Sequence, residues 1–207
     1  MNILLSTAYF APIQYFAKIC TAQKVIIEGF EHYPKQTYRN RCVIYSANGP
    51  LTLSIPTSKG DELKIFTKDI RIDHSMHWQK IHFKAIESAY RCSPFYEYYI
   101  DDLTPFFERN FSFLFDFNNE ILIKLSELTG IDLDLSFTSK FYESKESDIL
   151  DLRYSMHPKS QKDIPDPGFN PPKYRQVFEP KSGFFQNLSI LDLLFNTGPN
   201  TLLHLQQ

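Results

Sequence analysis

Glycine is scarce in this chain, with seven in 207 residues. None falls in a GxGxxG or Walker-type loop, so a phosphate-cradling backbone loop has little material. Cysteine is scarcer still. Cys20, Cys42 and Cys92 are odd in number and show no CxxC spacing, which excludes a disulfide framework and a zinc knuckle and fits a reducing compartment. An excess of either charge is also missing: 22 basic and 24 acidic residues leave a formal charge of −2, without the basic surplus of a nucleic-acid binder. No apolar run approaches the ~20 residues that cross a bilayer. The longest, Leu188 to Phe195, is interrupted by Ser189 and Asp192. The first ten residues, MNILLSTAYF, carry neither a positive n-region nor a small-residue cleavage site, so no signal peptide is expected. The expectation is a cytoplasmic protein without membrane insertion or nucleic-acid partner.

What the chain has in quantity is aromatic surface: 19 Phe and 12 Tyr against one Trp, within 43% hydrophobic residues. A chain of this length buries roughly 70% of its unfolded surface on folding and needs no metal or disulfide to hold a core. One domain over residues 1–207 is expected.

Periodicity organises it. Ile3-Leu4-Leu5 reads as a buried strand. Ile13, Phe16, Ala17 and Cys20 recur at helical spacing behind Pro12, and Lys24 to Ile27 is a β-branched run closed by Gly29. Arg41–Tyr45 and Pro50–Ile55 flank Asn48-Gly49, a strong hairpin signal. Ile70 to Asp73 and Leu133 to Phe137 alternate like strands. Trp78, Ile81, His82, Ala85, Ile86 and Ala89 form one helical stripe over 76–91, with Ser75 as its expected cap and Pro94 as its stop. Shorter helices are expected over 103–107, 118–128 and 188–196. Between 155 and 183, six prolines exclude regular helix or central strand; the aromatic residues there point to a lid or wrap lying on the body. The fold class is α+β or mixed α/β: three or more helices around a mixed sheet, with parallel pairing from the strand–helix–strand opening and antiparallel pairing from the hairpin.

The nucleophile elbow, HExxH and H-x-E…C-x-x-C patterns are absent. His82 sits on the apolar stripe between Trp78 and Ile86, where burial keeps an imidazole neutral and basic near pH 7; a core histidine with one hydrogen bond fits the same position. Asp73, His74 and His77 cluster at a strand-to-helix turn and lack a further ligand for a tetrahedral metal. Arg39 and Arg41, two apart, share a strand face and offer guanidinium forks to phosphate or carboxylate, or else a solvated edge. The tyrosines of 9–15 and 96–99 suit either stacking on a sugar or base or a plain aromatic core. Asp192 is a lone acid among apolar neighbours, costly if buried unpaired, or else on an exposed helix face.

The order Tyr9…Tyr15-Phe16-Ala17-Lys18-Ile19, Arg39-Asn40-Arg41, Leu51 to Pro56, His77-Trp78 with His82, Ala89-Tyr90, Ser93-Pro94-Phe95 and the ending Asn187 to Pro199 resembles the WbqC-like protein family over nearly the whole chain. The resemblance implies a bacterial protein encoded among genes for O-antigen and other surface polysaccharides, with transfer of an acyl or aminoacyl group onto an amino sugar as one activity. Carried over, the shared positions are Tyr9, Tyr15, Asn40, Arg41, Trp78, His82, Tyr90, Asp192 and Asn196. Many members open with His-Gln-Pro where this chain has Leu5-Ser6-Thr7-Ala8, so a catalytic histidine there would have no counterpart.

On this basis one expectation is a transferase acting on an activated or carrier-bound sugar, without cofactor or metal. Asn40 and Arg41 would hold an anionic group, His82 would be the general base with Asp192 as second catalytic residue, and Tyr9, Tyr15 and Trp78 would line the sugar, with Tyr90 and Asn196 also binding. The other is a non-catalytic ligand-binding or scaffold protein of the same pathway, with the same sugar or sugar-nucleotide ligand. Convergence of His82, Arg41 and Asp192 on one pocket separates the two. A third, a fold related to nucleotidyl transferases, rests only on the opening strand–helix–strand and lacks the HxGH motif. The sequence does not set the oligomeric state.

Overall fold

A computed structural model describes residues 1–58, 64–143, 148–158, 166 and 168–207. Its centre is a parallel sheet of β1 (Asn2–Ser6), β2 (Lys24–Glu28), β7 (Leu135–Phe137) and β8 (Ile149–Asp151), in the order β7-β2-β1-β8. The apolar opening runs pair in register, Ile3 with Val25 and Leu5 with Ile27. These four side chains belong to the main core, on one face of the sheet as the period of two requires. Helix α1 (Ile13–Thr21) joins β1 to β2 and buries Ile13, Phe16 and Ile19. From β1 the chain steps to β2 on one side, while β8 lies on the other. The carboxyl ends of β1 and β8 therefore meet at a topological switch point, where open parallel sheets place their ligands.

The long connection from β2 to β7 carries the rest of the body. A hairpin of β3 (Arg41–Ser46) and β4 (Gly49–Ser54) pairs Arg41 with Ser54, Val43 with Thr52 and Ser46 with Gly49. Its turn is thus Ala47-Asn48, one residue earlier than the Asn-Gly signal implies, and Gly49 takes a φ of 100° that suits only glycine. A two-residue ladder joins β5 (Thr57–Ser58) and β6 (Arg71–Ile72). The fold is α+β as expected; its parallel and antiparallel pairings are sorted into separate sheets.

Helix α2 (Trp78–Tyr90) buries Trp78, His82, Ile86, Ala89 and Tyr90. Ile81 is 58% exposed, because at 3.6 residues per turn it lies about 110° from the centre of that stripe. Ser75 does not cap the helix: His77 holds the cap position in the left-handed region, and the Ser75 amide donates to Asp73 Oδ1 instead. Then come α3 (Tyr96–Leu103), α4 (Pro105–Glu108) and α5 (Leu114–Thr129), which starts four residues earlier than its apolar spacing indicates and is closed by left-handed Gly130.

After β8 comes the proline-rich stretch; residues 159–165 and 167, with Pro165 and Pro167, lie outside the described residues, and the expected lid or wrap falls partly on them. The stretch holds the short α6 (Glu179–Ser182). Helix α7 (Ile190–Thr197) follows, capped by the Ser189 hydroxyl on Leu191 N, and then α8 (Thr201–Leu205). Six consecutive residues of α7, Ile190 to Phe195, are at most 0% exposed. Gly198 ends α7 at φ 54° and ψ −125°, and a Cβ there would stand 2.5 Å from the Phe95 ring. Gly198→Ala therefore combines backbone strain with overlap against a buried turn, and about 2–4 kcal/mol of stability is lost. Urea unfolding checks this: the midpoint falls with the slope unchanged, and an unaltered midpoint contradicts it.

Candidate functional site

The switch point is filled by the chain's own charges. Glu28 ends β2, and Asp151 ends β8 with Arg153 two residues on. The Arg153 guanidinium donates to Glu28 Oε2 at 3.0 Å and to Asp151 Oδ2 at 2.7 Å. Beside it, Arg39 makes a bidentate pair with Glu31, Nε to Oε1 at 2.7 Å and Nη2 to Oε2 at 2.6 Å, and also donates to the Ser6 hydroxyl. Ser6 donates onward to the Arg153 carbonyl, and Tyr15 donates to the Ser6 carbonyl at 2.9 Å. Both arginines and both glutamates are at most 5% exposed. Burial pushes the Asp151 carboxyl up, but hydrogen bonds and charge from Arg153 overcome this and hold it below the ordinary range. The remaining cavity, bordered by Ser6, Thr7, Tyr38, Arg39 and Arg153, is about 20 Å³, room for about one water.

Arg39 thus does not share a strand face with Arg41. It precedes β3 and is buried, because Glu31 draws its guanidinium inward. The helix terminus at this end is occupied too: Gln14 N of α1 donates to Asn187 Oδ1 and Ile13 N to the Leu188 carbonyl.

Tyr9, Trp78 and His82 form a second group, within the core. The Tyr9 hydroxyl lies 2.9 Å from His82 Nδ1, and the His82 ring meets Trp78 edge-on at 5.2 Å between centroids. His82 is 4% exposed. Burial depresses its imidazole to about 4, opposed by the Ser54 backbone. At neutral pH the ring is uncharged, and Tyr9 is held far above the ordinary phenol range by burial; the pair is a hydrogen bond between neutral groups.

A third group surrounds Asp192, which is buried rather than on an exposed helix face. Its Oδ2 accepts from the Tyr174 hydroxyl at 2.6 Å and from Gln176 Nε2 at 2.8 Å, both from the proline-rich stretch. Tyr90, whose hydroxyl accepts from Tyr45 N at 3.0 Å, lies beside the same carboxylate, while Oδ1 meets no donor in hydrogen-bond geometry among the described residues. Burial raises the carboxyl to about 6, against the hydrogen bonds that lower it. Asn196 donates to the Asp192 carbonyl one turn back on α7.

Asn40 and Arg41 stand apart from all three. Asn40 Nδ2 donates to the Ile55 carbonyl, but its Oδ1 and Arg41 Nε are buried atoms with no hydrogen-bond partner among the described residues. Both residues border an open cavity of about 420 Å³ together with Lys35, Gln36 and Thr57. Arg41 makes no salt bridge among the described residues, unlike Arg39 and Arg153. His82, Arg41 and Asp192 therefore lie in different places: two in the core, one at a polar cavity. At the turn before α2, His74 Nε2 bonds the Phe111 carbonyl and Asp73 holds Ser75 N.

Residues 7–162 match the profile of the WbqC-like protein family. The chain belongs to that family. It is also similar to an uncharacterized protein, Rv1507c, of Mycobacterium tuberculosis, at 24% identity over 204 residues, covering 89% of this chain and 88% of the other. No solved structure matches it. Among the described residues of this WbqC-like chain no helix is long and apolar enough to cross a membrane.

The residues missed by sequence reasoning are Glu28, Glu31, Asp151 and Arg153. Only the last two left a signal, an acid and a base spaced by one residue directly after the apolar Ile149-Leu150.

Asp192 carries a pH signature. Its folded value of about 6 lies above the ordinary 3.8, so the native state holds the proton more tightly, and stability falls as pH rises through that window, by roughly 3 kcal/mol. His82 has the opposite slope, its folded value being depressed from 6.5 to about 4; its contribution is present above 6.5 and lost as pH falls. Asp192→Asn keeps an acceptor for Tyr174 and Gln176 but cannot ionise. Relative to wild type, the variant gains about 2.4 kcal/mol on going from pH 4 to pH 7, read by urea unfolding at both. A difference that does not change with pH contradicts the buried, titrating carboxyl.

Proposed function

We propose that the protein is a ligand-binding member of its family, acting in the cytoplasm, that captures the anionic group of an activated or carrier-bound sugar used in surface-polysaccharide assembly. One observation carries this reading: Asn40 and Arg41, both among the positions shared with the family, border an open cavity, and Arg41 makes no salt bridge among the described residues. A guanidinium fork at an open polar cavity offers two donors side by side to an anion. Lys35 adds a second cation at the rim. The sugar class and the pathway come from the family resemblance, and the family match supports them no further than membership.

A second reading, transfer of an acyl or aminoacyl group onto an amino sugar, is favoured by the Tyr9–His82 pair, since a neutral imidazole is the form that accepts a proton. It requires the core around His82 to open, because the ring is sealed as it stands.

Binding is tested by titration calorimetry with a sugar nucleotide such as UDP-glucose. Arg41→Ala removes a charge-assisted contact worth about 1.5–3 kcal/mol, which weakens binding about tenfold to a hundredfold. Unchanged affinity in a folded Arg41→Ala protein removes this site from the function. Turnover of an amino-sugar acceptor that is lost in His82→Ala favours the second reading instead.

A further inference from the structure

The strand that carries Arg41 borders two cavities. On β3 the side chains of Cys42 and Ile44 point into the core at 0% exposure, so Arg41 and Val43 lie on the outer face of the hairpin, about 7 Å apart along the strand. Val43 borders a second open cavity, of about 330 Å³. Its walls are rings and amides: Tyr38, Pro50 and Phe185, with Gln14 and Asn187 at its base. Phe185 is fixed there by a 5.0 Å edge-on contact with Tyr45 and by its amide, which donates to Gln176 Oε1.

The two cavities differ in charge. Lys35 and Arg41 stand at the first. Among the described residues the second has no Asp, Glu, Lys or Arg in its lining, and its titratable side chains are Tyr38 and His157. Each volume is within the range of small-molecule sites. Flat aromatic and proline faces take up a ring by stacking; the Gln14 and Asn187 amides are engaged with each other and with Asp166, which leaves the exposed Gln186 amide to meet a ring hydroxyl.

We propose that the outer face of the β3–β4 hairpin is one bipartite site for a phosphate ester of a neutral polar ring, with the phosphate at Arg41 and the ring between Phe185, Tyr38 and Val43. This rests on Arg41 as the anion-binding residue and adds to it the ring subsite and the spacing. Glycosyl phosphates and nucleotides share this chemistry.

The test is titration calorimetry of the full chain with orthophosphate, glucose, glucose 1-phosphate and UMP, repeated with Val43→Phe, which fills the ring subsite, and Phe185→Ala, which removes a wall. The ring-bearing phosphates bind at least tenfold more tightly than orthophosphate. Each variant costs the preferred ester at least tenfold more than it costs orthophosphate. Preference for glucose 1-phosphate identifies a glycosyl phosphate, and preference for UMP a nucleotide. Orthophosphate binding as tightly as both esters, or equal losses for phosphate and ester in both variants, overturns the ring subsite while leaving the anion site standing. No binding of any phosphate to wild type overturns both. Thermal unfolding confirms that each variant is folded; where one fails to fold, the other decides the ring subsite.

Discussion

The carboxylates of Glu28, Glu31 and Asp151 against the guanidiniums of Arg39 and Arg153 are the constraint on which the rest of the molecule depends. Two strands and two connecting loops contribute to this group, and each charge is placed by its partner. Taking such ions out of water is costly, and removing one member of a buried pair costs about 3–5 kcal/mol because its partner is left unpaired. The network therefore fixes how the segment before β3 approaches the carboxyl edge of the parallel sheet, and with it the position of the hairpin. It also fills the place where a parallel sheet ordinarily receives a ligand. The remaining cavity there, about 20 Å³, leaves no room for one.

With that edge closed, the polar groups of the interior settle into neutral arrangements. His82 shares a hydrogen bond with Tyr9 and is kept uncharged by burial. Asp192 is held by Tyr174 and Gln176, which tie the described part of the proline-rich stretch to helix α7. Arg41 differs from both: it is a cation at an open cavity and makes no salt bridge among the described residues. The account of function follows from this contrast between polar groups the fold consumes and polar groups it leaves available.

The elements governed by short-range pattern were legible in the sequence. The strand–helix–strand opening and the Trp78 to Tyr90 helix follow from periodicity. The class, α+β, follows from combining the two kinds of strand pairing. The turn of the hairpin shifted by one residue because Gly49 serves best at a positive φ inside the ladder. Strand β8 was hidden because three residues are too short for a period to show. At the candidate site, the types of Asn40 and Arg41 were informative, but their accessibility was not: Arg39, two residues away and chemically identical to Arg41, is buried against an acid eight positions upstream. Such a pairing is set by tertiary structure, and no local pattern encodes it. The Asp192 position was legible as an anomaly, an acid in an apolar run, without showing which tyrosine would reach it.

The most direct measurement is amide hydrogen exchange of the full chain with and without saturating glucose 1-phosphate or UMP, whichever binds. The account predicts added protection in residues 35–43, around Lys35 and Arg41, with exchange at Ser6 to Ala8 and Leu152 to Tyr154 unaffected. Protection gained at Ser6 to Ala8 and Leu152 to Tyr154, with residues 35–43 unchanged, would contradict it: the ligand would then enter the sheet edge that the ion network closes.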